Sequence, residues 1–258
     1  MGLKRFGRAW NKVGARNPYG AILTGRAGEL RDWSDEEFFA TGRADAARFI
    51  ADLARIAPTV ARRRLLDFGC GVGRVTRPLA EHFESVVGVD AAPTMIAHAQ
   101  RLNQSYANCE FVVNRGTDLR GFATGTFDVI YSRLVLQHVP PPFVTRYIPE
   151  LIRVLAPGGV LMFQLPDDVA SEAEAAFLKA PVVGHAMKRH LPAPIVRAYR
   201  RIKYRFIVDE SGTALTMFGM PRETVLKLVC EAGGRVITVE PDESHGAMVP
   251  GFQYWISK

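Results

Sequence analysis

The sequence predicts an α/β protein: a doubly wound, Rossmann-like seven-stranded sheet, mostly parallel, with a C-terminal antiparallel strand. Short apolar runs recur near residues 64–68, 85–89, 109–113, 127–131 and 160–165, with helix-length segments between most of them, the alternation of βαβ units. The runs are apolar throughout rather than alternating, as in strands covered on both faces. The first run ends in Asp67 and opens into Gly69-Cys70-Gly71-Val72-Gly73-Arg74. Glycines at such a turn let a ligand approach the backbone closely, and the amides of a following helix attract a polar or anionic group.

Residues 1–30 scatter Gly, Pro and Arg with little periodicity and read as an irregular basic arm, ahead of a domain over 31–258. Ser34 followed by Asp35, Glu36 and Glu37 starts a helix, since acids suit its first turn. A second helix over 43–57 closes before Pro58. Strand 64–68, helix 73–82, strand 85–89 and helix 93–103 follow, the last opened by Pro93, whose missing amide is not needed there. Strands 109–113 and 127–131 precede a helix over 142–155, and Pro157-Gly158-Gly159 turns it into strand 160–165. A basic helical insertion then interrupts the pattern at about 167–220. Within it Ile195, Tyr199, Ile202 and Phe206 recur at helical spacing beside Arg197, Arg200, Arg201 and Arg205. Such a helix can pack on the domain, cover an active site, or lie on an acidic membrane surface. Pro221 opens a helix that stops at Gly233-Gly234, and strands 235–240 and 252–257 pair antiparallel.

Composition narrows the class. The 258 residues, 48% of them hydrophobic, suit one elaborated α/β domain. No apolar run reaches the roughly 18 residues of a membrane span, and the basic start MGLKRFGRAW has no apolar stretch behind it, so it is not a signal peptide. Cys70, Cys109 and Cys230 are odd in number and lack metal-type spacing, which fits reduced thiols in a cytoplasmic protein and predicts no metal site. The net charge of +7 is uneven: residues 1–31 hold seven Lys or Arg against one Glu, and residues 179–208 hold eight and no acid. That asymmetry suits an anionic substrate or a nearby acidic surface; solvated helix faces account for it equally well.

The neighbours of the glycine loop identify its ligand. Asp90 ends the second apolar run, seventeen residues after Gly73, where a carboxylate can accept both hydroxyls of a ribose. The spacing is GxGxG, not the GxGxxG of dinucleotide sites. Asp67, just before the loop, suits a ligand carrying an amine and would repel a pyrophosphate. The ligand that combines ribose, adenine, amine and carboxylate without phosphate is S-adenosylmethionine.

Five segments in this order resemble one family. LLDFGCGVGR, VVGVDAAPTMIAHA, FVVNRGTDL, TFDVIYSRLVLQHVP and LIRVLAPGGVLMFQLP are similar to successive motifs of the class I S-adenosylmethionine-dependent methyltransferases, and WSDEEFFATGRADAARFIADL resembles the N-terminal portion of one bacterial subgroup. The resemblance implies an enzyme that leaves S-adenosylhomocysteine as product. Gly69, Cys70, Gly71 and Gly73 would shape the cofactor loop, with Cys70 there as a small residue. Asp67 would lie near the methionine amine, and Asp90, beside Ala91, would hold the ribose. Met95 would pack on adenine or belong to the core. Asp118 and Leu119 fall where the family reads adenine, by carboxylate and amide respectively; a turn cap is the other reading of Asp118. Arg43 can pair with the methionine carboxylate or be a surface arginine.

The loop from Ser132 to His138 would flank the methyl group. It lacks the Asn/Asp-Pro-Pro-aromatic signature of enzymes that methylate nucleobase amines, which argues against a nucleic-acid substrate. His138 is the one general-base candidate there, favouring a hydroxyl acceptor; capping of a short helix before Val139-Pro140-Pro141 is its alternative role. Methyl transfer to a small molecule or glycan, with O-methylation preferred, is therefore the expected activity. Competing readings are a non-catalytic S-adenosylmethionine-binding or basic membrane or nucleic-acid docking module and, ranked lower, an aminopropyl transferase on the same fold, against which stands the absence of an acidic cluster after the fourth strand.

Overall fold

The computed structural model describes residues 3–23, 32–167, 218–242 and 251–258, the side chains of 3–6 and 9 excepted. Helices α1 (Leu3–Arg16), α2 (Pro18–Ile22) and α3 (Asp35–Ile56) precede the sheet. Strand β1 (Arg64–Phe68), helix α4 (Thr76–Leu79), β2 (Ser85–Asp90), α5 (Pro93–Leu102), β3 (Cys109–Val113) and β4 (Phe127–Ser132) follow, then α6 (Pro141–Val154), β5 (Leu155–Pro166), α7 (Arg222–Glu231), β6 (Arg235–Pro241) and β7 (Gly251–Ser257). The sheet order is β3-β2-β1-β4-β5-β7-β6, parallel from β3 to β5, with β7 antiparallel to both neighbours. The chain therefore winds outward from β1 to β3 and restarts at β4. The carboxyl ends of β1 and β4 border the crevice this reversal creates, where open α/β sheets bind ligands.

Two apolar layers cover the sheet. Val144, Ile148, Leu151 and Ile152 of α6, with Val225 and Val229 of α7, pack on Leu66, Ile130, Leu161 and Ile256. Ala46, Phe49 and Leu53 of α3 pack on Leu65, Val129 and Trp255. Among the described residues no helix is long and apolar enough to cross a membrane. The three cysteines are free, and no described group of His, Cys, Asp and Glu could hold a metal.

Three expectations are corrected. The two helices expected within 34–57 are one, because Ser34 closes a capping box with Glu37 and the helix runs through Gly42 without a break. The helix expected over 73–82 shrinks to the single turn of α4, since the glycine loop occupies 69–73. The arm read as irregular contains α1 and α2. Gly14 belongs to a helix contact: a Cβ there would lie 2.9 Å from Thr94 Oγ1, so the glycine allows α1 to rest on α5. The Asn11 side chain accepts from the Thr94 amide at 3.0 Å, supplying from another helix the cap that Ala92 lacks. The basic insertion lies almost wholly outside the described residues.

Candidate active site

The glycine loop is tied down from two sides. The Gly69 and Cys70 amides both donate to the Val89 carbonyl, at 2.8 and 3.0 Å, joining the loop to the end of β2. Asp90 accepts from the Gly71 amide at 3.1 Å and, with its other oxygen, from Ala92 at 2.8 Å. Gly69 adopts φ +83° and Gly71 φ +55°, in the left-handed region. A Cβ on Gly69 would strike the Val135 side chain, so the loop sits as close to the segment after β4 as glycine permits. A cradle of this shape, ending in a half-buried carboxylate, fits the nucleoside half of S-adenosylmethionine.

Asp67 is buried beneath the loop and accepts from Thr76 Oγ1 at 2.6 Å. Burial raises its carboxyl to about 6, against the lowering influence of the Thr76 hydroxyl and Arg74. Burial likewise raises Asp90, while its backbone donors oppose the shift. A raised carboxyl favours the neutral form in the folded state. That contribution is present below the ordinary value of 3.8 and is lost as pH rises through about 6. The stability difference between wild type and Asp67→Asn should therefore change by about 2 kcal/mol between roughly pH 4 and pH 7, with wild type gaining relative stability toward acid. Urea unfolding at the two pH values measures it; a difference independent of pH would mean that Asp67 is ionised throughout.

Asp67, Gly69, Cys70, Gly71, Asp90, Ala91 and Met95 all line one cleft, and His138 shares it. The cleft opens to solvent, and its empty space, open mouth included, is about 1090 Å³. Gly73 shapes the same loop with φ +83°. Met95 is also wedged against α1, so it serves cleft and core together.

Four expected residues lie elsewhere. Arg43 is exposed on α3, outside the cleft. Asp118 turns away to pair with Arg120 at 2.6 Å and accepts the Arg120 amide, the turn-capping arrangement. The Leu119 amide is taken by Glu150 at 2.7 Å, and its side chain is in the core. Ser132 is fully buried at the end of β4 and does not line the cleft.

Other residues take their place. Asn114 reaches the cleft from the end of β3 and braces the next turn through bonds to Gly116 and Asp118. Arg74 and Arg133 line it from the ends of the β1 and β4 motifs. Both arginines pair with Asp45, one oxygen each, at 2.8 Å, and Arg74 also reaches Thr41 at 3.1 Å. Asp242 stands 3.8 Å from Arg133 Nε. Facing carboxylates, with Tyr131, keep the Arg133 guanidinium charged despite its burial. Trp10, Ala21 and Ile22 supply a further wall, with Ile22 closing over Gly71 and Trp10 set edge-on to His138 at 5.4 Å between ring centres. The position of Arg133 two residues after a predicted strand end, and of Arg74 directly after the third glycine of the loop, was a usable signal for the arginines; no sequence signal placed Trp10 at the cleft.

The loop after β4 is held in an unusual shape. Leu134 takes φ +59°, costly for a branched side chain, and its amide is held by the buried Gln164 side chain at 3.1 Å. One 3-10 turn, Leu136–His138, then places His138 on the cleft. Gln137 Nε2 lies 3.1 Å from His138 Nε2. An amide nitrogen only donates, so in this arrangement the ring nitrogen accepts.

Residues 66–163 match the family model described as a methyltransferase domain. The trans-aconitate 2-methyltransferase of Azoarcus sp. (strain BH72) is 35% identical over 202 residues, covering 70% of this chain and 76% of that one. The chain belongs to the class I S-adenosylmethionine-dependent methyltransferases. This methyltransferase is also 33% identical to the ubiquinone biosynthesis O-methyltransferase of Xanthomonas oryzae pv. oryzae (strain PXO99A) over 135 residues, 52% of this chain and 54% of that one. In architecture it is similar to the magnesium protoporphyrin IX methyltransferase of Synechocystis PCC 6803, a structure with bound S-adenosylhomocysteine, at a TM-score of 0.61, 15% identity and 98% coverage of each chain. The enzyme's cofactor is accordingly S-adenosylmethionine.

Proposed function

We propose that this methyltransferase methylates an oxygen atom of a small-molecule acceptor. The observation that carries the proposal is the placement of a histidine, His138, in the same cleft as the glycine loop and Asp90. The relatives named for trans-aconitate and ubiquinone biosynthesis support a small molecule over a glycan, and the second is named as an O-methyltransferase. In this reading Asp90 and Ala91 hold the ribose, Gly69, Cys70, Gly71 and Gly73 the methionine side of the nucleoside, Asp67 the amine, and Met95 with Asn114 the adenine side. When bound, S-adenosylmethionine supplies a methyl group already activated on a sulfonium, and its departure leaves the neutral thioether of S-adenosylhomocysteine.

The protein's part is to orient, exclude water and hold a proton. An acceptor hydroxyl must lose its proton as its oxygen forms the new bond to carbon, and His138 takes it. For that transfer the hydroxyl displaces the Gln137 Nε2–H from the single lone pair of His138 Nε2. The Nε2–H so formed can then donate to Gln137 Oε1, which is buried and has no hydrogen-bond partner among the described residues, after a half turn of the amide. His138→Ala should lower kcat by about 10²- to 10⁴-fold, the usual contribution of a positioned base, while S-adenosylhomocysteine affinity stays within about twofold. Transfer of labelled methyl groups to a panel of hydroxylated and carboxylated small molecules, with the product bond assigned by mass spectrometry, tests both points. N-methylated products, or a kcat indifferent to residue 138, would discard the reading.

A further inference from the structure

Arg74 and Arg133 stand side by side in the cleft with more hydrogen-bond donors than the described residues fill. Their side chains are 8% and 12% exposed. Each guanidinium carries five N–H groups, and the bonds to described residues use Nη1 of each, toward Asp45 and, for Arg74, Thr41. Among the described residues, Nε of both arginines is buried with no hydrogen-bond partner, the 3.8 Å to Asp242 being too long for one. Buried donors of charged groups left unmet are costly, so their persistence in a ligand site points to an acceptor that arrives from outside. Asp45 explains why the pair does not simply collapse onto its own acid. It spends one oxygen on each arginine, fixing both from the α3 side and leaving the rest of each planar fork unspent.

We infer that Arg133 and Arg74, held by Asp45, form a carboxylate-binding subsite for the methyl acceptor, making the acceptor a small organic acid. Guanidinium forks match the planar, two-oxygen geometry of a carboxylate better than that of a lone hydroxyl. The protein's net charge of +7 favours approach of such an anion. Two arginines on one carboxylate also occupy its lone pairs. The oxygen that receives the methyl group is therefore a second group on the same molecule, a hydroxyl or another carboxylate. The anchored carboxylate keeps its charge, and the sulfur keeps the electron pair of the bond it loses. The inference rests on the methyltransferase reading and names its substrate class.

The test is calorimetry on the intact chain loaded with S-adenosylhomocysteine. Succinate, citrate and tricarballylate are titrated beside the corresponding amides, in wild type, Arg133→Lys, Arg133→Gln and Asp45→Asn. Loading with S-adenosylhomocysteine is read first, so failure there speaks against the methyltransferase reading and not against the subsite. The expected result is binding of at least one acid and not its amide, weakened tenfold or more in Arg133→Gln, less in Arg133→Lys and Asp45→Asn, with nucleoside affinity kept within about threefold. Parallel loss of S-adenosylhomocysteine affinity would assign the arginines to the methionine carboxylate and overturn the proposal. So would acid binding indifferent to the substitutions, or no binding of any acid by wild type. A variant that fails to fold loses S-adenosylhomocysteine binding together with its unfolding transition, and the milder Arg133→Lys then decides.

Discussion

Gly42→Ala is expected to destabilise this methyltransferase by about 3 kcal/mol, although the position is the middle of a helix, where the same change ordinarily stabilises by roughly 0.5–1 kcal/mol. Gly42 is buried on the inner side of α3, and a Cβ there would overlap the backbone carbonyl of Arg74 and crowd the Arg74 side chain. A carbonyl in a pinned loop has no rotamer into which to retreat, so either the helix or the loop must move. Moving α3 displaces Asp45, one turn on, and with it the ion pairs to Arg74 and Arg133. Moving the loop instead displaces the cradle of Gly69, Gly71 and Gly73, so the substitution should lower the urea midpoint and weaken S-adenosylmethionine binding together. A midpoint equal to or above that of wild type would show that α3 and the glycine loop are not in contact at this position.

That glycine also marks how far the sequence could be read. Strands β1 and β3 have the bounds their apolar runs predict, and in β1, buried from Leu65 to Phe68, the pattern leaves little freedom in where it starts and stops. Gly69, Asp67 and Asp90 converge on one cleft for the same reason: residues at the carboxyl ends of neighbouring parallel strands are brought together by the winding alone. Arg43 and Asp118 do not, since each depends on which way a side chain turns on a helix face or in a loop. Asp118 had a partner two residues away in Arg120, and a local pair of that kind wins over a distant site. Gly42 was ambiguous in the same way. A glycine inside a helical pattern reads as a break unless the partner it makes room for is known, and Arg74 is 32 positions further on. Helix α1 was legible: Leu3, Phe6, Trp10 and Val13 recur at helical spacing, and Trp10 and Val13 pack into a cluster with Met95, but the Gly, Lys and Arg between them gave the segment the look of an irregular arm.

Asp90→Ala should weaken S-adenosylmethionine binding by at least about tenfold and by as much as about a hundredfold, the range that follows from roughly 1.5–3 kcal/mol for a hydrogen bond to a charged group. Two losses combine. The acceptor for the ribose hydroxyls disappears, and the Gly71 and Ala92 amides lose the carboxylate that holds them at 3.1 and 2.8 Å. The second loss loosens the loop itself, because the Gly71 amide is what ties its centre to the end of β2. Asp90→Asn separates the two: its amide oxygen can still accept from one backbone amide, but it presents a donor where the other oxygen stood. Its affinity should fall between wild type and Asp90→Ala, with unfolding stability closer to wild type. Calorimetric titration of the three proteins with S-adenosylmethionine, and with NAD as the unrelated nucleotide, reads the result. Equal affinity in all three would remove Asp90 from the cofactor site, whereas NAD binding that survives in wild type would mean that the GxGxG spacing does not exclude a pyrophosphate.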